Sequence, residues 1–100
     1  MNKVNYEQRK AVYEKACQRW GITHQTMVAI EEMSELTKEL CKHFRGRKNK
    51  DAIAEEIADV TIMLEQLRLL YGLNDEVCKY MDDKILRLDR RIGQKGDCKA

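Results

Sequence analysis

Apolar side chains return along this chain at helical intervals, in four blocks separated by glycines. At about 100° per residue, Tyr6, Tyr13, Cys17 and Trp20 share one narrow stripe in a first block from about Asn5 to Trp20. A second block, from about Thr23 or His24 to Phe44, carries an arc of Val28, Ala29, Met33, Leu36, Leu40 and Phe44. The third, from about Asp51 to Tyr71, repeats the pattern with Ile53, Ile57, Val60, Met63, Leu64, Leu67 and Leu70. The fourth, from about Asp75 to Ile92, does so with Val77, Tyr80, Met81, Ile85, Leu88 and Ile92. Gly21, Gly46, Gly72 and Gly93 punctuate the blocks, and there is no proline to interrupt them. Asn49 and Asn74 stand where N-caps are expected. Short connections of this kind join antiparallel neighbours, so the pattern predicts an all-α bundle.

Two acidic runs break the amphipathic pattern. A solvated acidic face lies opposite the apolar stripe. Yet Glu32 falls inside the second arc, between Val28 and Leu36, with Glu35 on its edge and Glu39 near it, while Glu31 points away. In the third block Glu56 lies within the apolar face and Asp59 at its border, while Glu55 points elsewhere. Glu32/Glu35 and Glu56/Asp59 each sit three residues apart, on neighbouring turns of one face.

Composition narrows the setting. One hundred residues, 43% hydrophobic and 36% charged, suit one soluble globular domain. It is expected over residues 1–93, with a flexible tail at 94–100. The net charge of +2 gives no ground for a nucleic-acid partner. No run approaches the roughly 18 apolar residues of a membrane span, and the first residues lack the apolar core of a secretory signal. The four cysteines, Cys17, Cys41, Cys78 and Cys98, are too dispersed for a zinc knuckle. They read as free thiols, two of them buried, in a reducing cytoplasm.

A buried carboxylate takes up a proton or finds a partner. Four that converge call for a cation, for basic side chains, or for exposure in a cleft. Hard oxygen ligands select magnesium or manganese over zinc, and magnesium so held commonly coordinates substrate phosphates. Lys84, Arg87 and Arg91, within or beside the last apolar stripe, would hold the rest of a polyphosphate. Together these point to phosphoryl or nucleotidyl chemistry with metal-activated water. The turn Arg45-Gly46-Arg47-Lys48-Asn49-Lys50 is either a solvated basic loop or a lid over an anion. A ferritin-like di-iron site is disfavoured by its need for Glu-x-x-His, because neither His24 nor His43 has a Glu three residues before it. The competing reading is ordinary surface ion pairing in a non-catalytic helical module that dimerises through the same faces.

The pattern Glu31-Glu32-x-x-Glu35, then Glu56-x-x-Asp59 about twenty residues on, resembles the signature of the MazG-like, all-α nucleoside triphosphate pyrophosphohydrolases. Trp20-Gly21, Gln25, the run Glu55 to Val60 and the stretch Lys84 to Leu88 extend the resemblance over about residues 13 to 92. It implies an oligomeric bundle of four to five helices that hydrolyses an NTP or dNTP between the α and β phosphates. The products would be NMP and pyrophosphate. Carried over by position, Glu32, Glu35, Glu56 and Asp59 would ligate Mg2+ (or Mn2+), and one of this acidic set, or Glu31, would help activate water. Lys84, Arg87 and Arg91 would hold phosphates, with Trp20 and Gln25 near the base. The family works as a homodimer or homotetramer, and the compact length resembles single-domain, phage- or prophage-type members. The last helix, reading Asp82-Asp83-Lys84-Ile85-Leu86-Arg87, departs from the Asn or Lys-Phe-x-Arg-Arg of some members and leaves base preference open.

Overall fold

Helix ends are where a chain with four unpaired backbone groups per terminus must find partners, and here they delimit three helices. A computed structural model describes residues 3–94. They form α1 (Tyr6–Phe44), α2 (Lys50–Leu70) and α3 (Asn74–Ile92). At the start of α1 the Asn5 side chain accepts from the Gln8 backbone N–H at 2.8 Å, and the Gln8 side chain accepts from the Asn5 N–H at 2.9 Å. This is a capping box. α1 and α2 end alike. Gly46 and Gly72 take positive φ (97° and 63°). The following N–H groups, of Arg47 and Leu73, reach back to the carbonyls of Lys42 (3.1 Å) and Arg68 (2.9 Å), the Schellman arrangement.

Two expected caps are reassigned. Asn49 occupies the N-cap position of α2, but its side chain makes no capping bond there. Its Nδ2 instead donates to the backbone carbonyl and to Oε1 of Glu39, both at 2.9 Å. Asn74 is the first residue of α3 rather than its cap, and its Oδ1 accepts from Arg68 Nε at 3.0 Å. At Asn74 a tertiary donor takes the oxygen, whereas at Asn49 the bonds made by Nδ2 hold the side chain so that Oδ1 is buried without a partner.

The four expected segments resolve into three helices because the first two run into one another through Gly21. The break predicted there takes the form of a bend, with φ 86° and ψ 164° in the middle of α1. That conformation is open essentially to glycine alone. Its effect is visible in the register. After the bend, Gln25 meets Gln66 and Glu39 meets Asn49, an antiparallel pairing of α1 with α2. Before the bend, Tyr13 bonds to Glu65. On a straight helix Tyr13 would lie about 18 Å beyond Gln25. The bend folds Tyr6–Trp20 back across the C-terminal end of α2.

The core is small. Tyr13, Ala29, Val60 and Met63 are its buried apolar members, and Gln25 and Gln66 are buried with them. The apolar arc expected on the second block is displaced. Leu36 and Ala29 face α2, whereas Met33, Leu40 and Phe44 are exposed, Phe44 to 92%. The seam between the helices is filled instead by Gln25, Glu32, Glu39, Glu56, Asp59 and Gln66, each buried or half-buried. Of the expected aromatic stripe only Tyr13 is core, since Tyr6 and Trp20 are about half exposed.

α3 stands apart. It packs against α2 alone, along a groove lined by Leu64, Leu67, Tyr71, Leu73, Val77 and Met81, and none of its residues is buried. Among the described cysteines all are free, with Cys17 half-buried and Cys41 and Cys78 exposed. The expectation of two buried thiols is not met within them, and Cys98, with most of the expected tail, lies outside the described residues. No helix is long and apolar enough to cross a membrane, among the described residues.

Candidate functional site

The antiparallel register brings the two acidic runs face to face at mid-seam. Glu32 on α1 and Glu56 and Asp59 on α2 each offer a carboxylate oxygen within 4.8 Å of the others, and all three are half-buried. They occupy positions where the helical period directs side chains at the neighbouring helix, which is why the place of Glu32 and Glu56 within the apolar arcs, and of Asp59 at the border, was a signal.

The electrostatics are those of a site short of positive charge. Burial raises the Glu32 carboxyl above the ordinary carboxylate range, and Asp59 and then Glu56 push it further. Burial likewise raises Glu56, followed by the charges of Asp59 and Glu35. Carboxylates this close repel unless a proton or a cation comes between them. Glu56 Oε2 is buried with no hydrogen-bond partner. Buried polar atoms in native folds are nearly always paired. Three hard oxygen donors with one orphaned oxygen suit a divalent cation such as magnesium or manganese better than zinc, which favours nitrogen and sulfur.

The other expected residues divide. Glu35 lies at the edge, exposed, and pairs with Lys38 at 3.4 Å. Glu31 faces solvent. Lys84, Arg87 and Arg91 are not brought to the carboxylates within one chain, because α3 approaches only the C-terminal part of α2. In the α1–α2 turn, Arg47, Lys48 and Lys50 line an open hollow with His43 and Gly46. That turn is tied to the seam through Asn49 and Glu39, and hydrogen bonds from Asn49 and then Lys42 hold the Glu39 carboxyl below the usual range.

At the opposite end, two helical turns along the seam or about 10.5 Å, Gln25 is enclosed. Its Nε2 donates to Gln66 Oε1 at 2.8 Å, and its Oε1 accepts from His24 Nδ1 at 2.8 Å. Gln66 Nε2 donates in turn to Met63 Sδ at 3.3 Å. The Gln25 amide is therefore committed within the protein. Trp20 is 54% exposed and stacks on His24, with ring centroids 5.8 Å apart. Sequence reasoning missed Gln66, His24 and Glu65. Gln66 had a signal, since it continues the inward spacing of Asp59 and Met63, whereas Glu65 is recruited only through the Gly21 bend.

Compared with known proteins, the chain matches no family model, no curated protein and no solved structure. Its functional reading therefore stands on the residues and their geometry.

Proposed function

We propose that the chain is a divalent-cation-dependent nucleoside triphosphate pyrophosphohydrolase, cleaving an NTP or dNTP between the α and β phosphates. The observation that carries this reading is the half-buried trio Glu32, Glu56 and Asp59 around an unpartnered Glu56 oxygen. The MazG-like acidic signature in the sequence points to the same residues.

In this reading Glu32, Glu56 and Asp59 hold Mg2+ or Mn2+, and Glu35 joins them by releasing Lys38. The cation, when bound, would polarise phosphoryl oxygens and bring the pKa of water toward neutrality. The protein's own part is to fix the donors on two rigid helices and to keep their charges uncompensated until cation and anion arrive. Arg47, Lys48 and Lys50 of the α1–α2 turn are the cations best placed for the outer phosphates, ahead of Lys84, Arg87 and Arg91. Trp20, stacked on His24 with half its surface free, is the ring on which a planar base can lie. The assembly this reading carries is a homodimer or homotetramer.

The test is a panel of NTPs and dNTPs supplied with magnesium and scored separately for pyrophosphate and orthophosphate. Pyrophosphate release that stops in excess EDTA is expected. Orthophosphate alone, or release indifferent to EDTA, overturns the reading. The second reading, a non-catalytic helical assembly module, is favoured by the uncovered apolar residues of α3, and it predicts no turnover and no rise in Tm with magnesium.

A further inference from the structure

We infer that α3 is a parallel pairing helix, which joins two copies of this chain side by side through its exposed stripe. The inference rests on the homo-oligomeric part of the reading above and names its surface and its orientation. Two observations carry it: what α3 leaves uncovered, and how its charges are distributed around what it leaves uncovered.

Met81, Ile85, Leu88 and Ile92 are 52%, 60%, 50% and 64% exposed, although they fall on one face of a regular helix. α2 reaches the first turns of that face, at Val77 and Met81 and at Cys78, whose Sγ accepts from Arg68 Nη2 at 3.0 Å; Ile85, Leu88 and Ile92 lie beyond it. Four large apolar residues in line are more than a lone chain leaves to water without a partner.

Their spacing is a heptad and not merely amphipathic. Cys78, Ile85 and Ile92 recur at intervals of seven, with Met81 and Leu88 between them in the alternating three-and-four step. β-branched Ile at the first of these positions with Leu at the second favours two parallel strands. The flanks are sorted by sign. Asp75, Asp82 and Asp89 follow the stripe on one side, and Lys84 and Arg91 precede it on the other.

That sorting decides direction. In a parallel pair the basic flank of one helix meets the acidic flank of its neighbour, so Lys84 faces the second copy's Asp89. In an antiparallel pair each flank meets its own kind: Lys84 falls opposite Arg91, and Asp82 opposite Asp89. Like charges so placed are repulsive. One orientation is complementary and the other is not.

The full-length chain tests this by sedimentation across micromolar concentrations, a readout of mass that does not depend on turnover. A dimer is expected. Lys84→Glu should weaken it by about tenfold, as attraction on both flanks becomes repulsion. Lys84→Glu combined with Asp89→Lys should restore it, which also excludes misfolding of the single variant. In an antiparallel pair the sign reverses, because the carboxylate introduced by Lys84→Glu would face Arg91. A dimer tightened by that single change therefore overturns the parallel orientation. Independently, a Cys17→Ser/Cys41→Ser/Cys98→Ser variant retains only Cys78, which parallel pairing brings beside its copy. Diamide, which takes up the two thiol hydrogens, should then link the two chains.

A dimer that is indifferent to Lys84 and Asp89 and forms no Cys78 link overturns the α3 seam while keeping the homo-oligomer. A chain that stays monomeric overturns both. Neither result bears on pyrophosphate release.

Discussion

Two polar stretches of one helix seam behave in opposite ways. Around Gln25 and Gln66, and in the neighbouring Tyr13–Glu65–Arg9 group, donors match acceptors and the protein closes its own hydrogen bonds. Two turns away, Glu32, Glu56 and Asp59 converge as acceptors with no donor among them. Both stretches put polar groups where leucines would pack. The first is an internal joint, and the second, in the proposed reading, is open to a cation. The difference is not polarity or burial but whether the set is self-complementary.

Removing a polar group should therefore have opposite effects at the two ends. Glu56→Gln should lower pyrophosphate release by at least about 100-fold, since even outer-shell changes at metal sites cost about 10–100-fold. In the absence of divalent cation the same variant should be more stable than wild type, because it removes one of several mutually repelling carboxylates. Thermal melts with and without magnesium read both sides. Wild type should gain Tm on adding the cation, which binds only the folded state, and Glu56→Gln should gain much less. A variant less stable than wild type in EDTA would mean that the open end is closed after all.

At the other end, Gln25→Leu should destabilise the fold by about 1–3 kcal/mol, because it strands the buried Gln66 amide. Gln25→Leu/Gln66→Leu should recover most of that loss, since two apolar groups leave nothing unpaired. Chemical denaturation of the four-member cycle measures the coupling. Additive losses would show that the two amides do not act as one joint.

The bend that assembles the closed end can be attacked without touching its side chains. A Cβ at Gly21 would meet nothing within 4 Å, so Gly21→Ala adds backbone strain and no clash. A destabilisation of about 1–3 kcal/mol is expected, the cost of a side chain in that region of φ and ψ. If Gly21→Ala instead straightens α1, Tyr13 leaves Glu65, and its environment, read by ultraviolet absorbance, changes with it.

Much of this was legible in the sequence, and the parts that were not share a cause. Helical period and glycine placement delivered an all-helical chain with interruptions at Gly21, Gly46 and Gly72, though four segments were expected where Gly21 only bends one helix. Glu32 and Glu56 stood out because they fell inside an apolar arc, with Asp59 at its border. The same arithmetic misplaced Met33, Leu40 and Phe44, since a helix wheel ranks faces by hydropathy while the register of α1 on α2 chose a more polar one. Lys84, Arg87 and Arg91 were assigned to the phosphates of a substrate beside the carboxylates, on charge and on the resemblance of the last helix, and the path of the chain carries α3 elsewhere. Asn49 and Asn74 have the composition of caps, but Glu39 and Arg68 offered them tertiary partners. Local propensity is a weak claim on a side chain that a neighbouring element also wants.

The finest discrimination between the two stretches is pH dependence at the closed one. Burial, then the hydrogen bond to Glu65, raises the Tyr13 hydroxyl from 10.0 to about 12. A group whose pKa is raised on folding stabilises the native state fully below its unfolded value and loses that contribution as pH rises through the folded one. Stability should therefore fall between pH 10 and about 12 by an amount absent from Tyr13→Phe. Glu65 carries the acid arm, because the Tyr13 hydrogen bond and then those from Arg9 lower its carboxyl below 4.5. Its contribution is present above 4.5 and drains away as pH drops through the depressed folded value. Tyr13→Phe should cost about 1–2 kcal/mol near neutrality and flatten both arms, measured as the difference in unfolding free energy from wild type across pH. Arms that persist unchanged in Tyr13→Phe would place the titration elsewhere and remove the Tyr13–Glu65 bond from the account of the closed end.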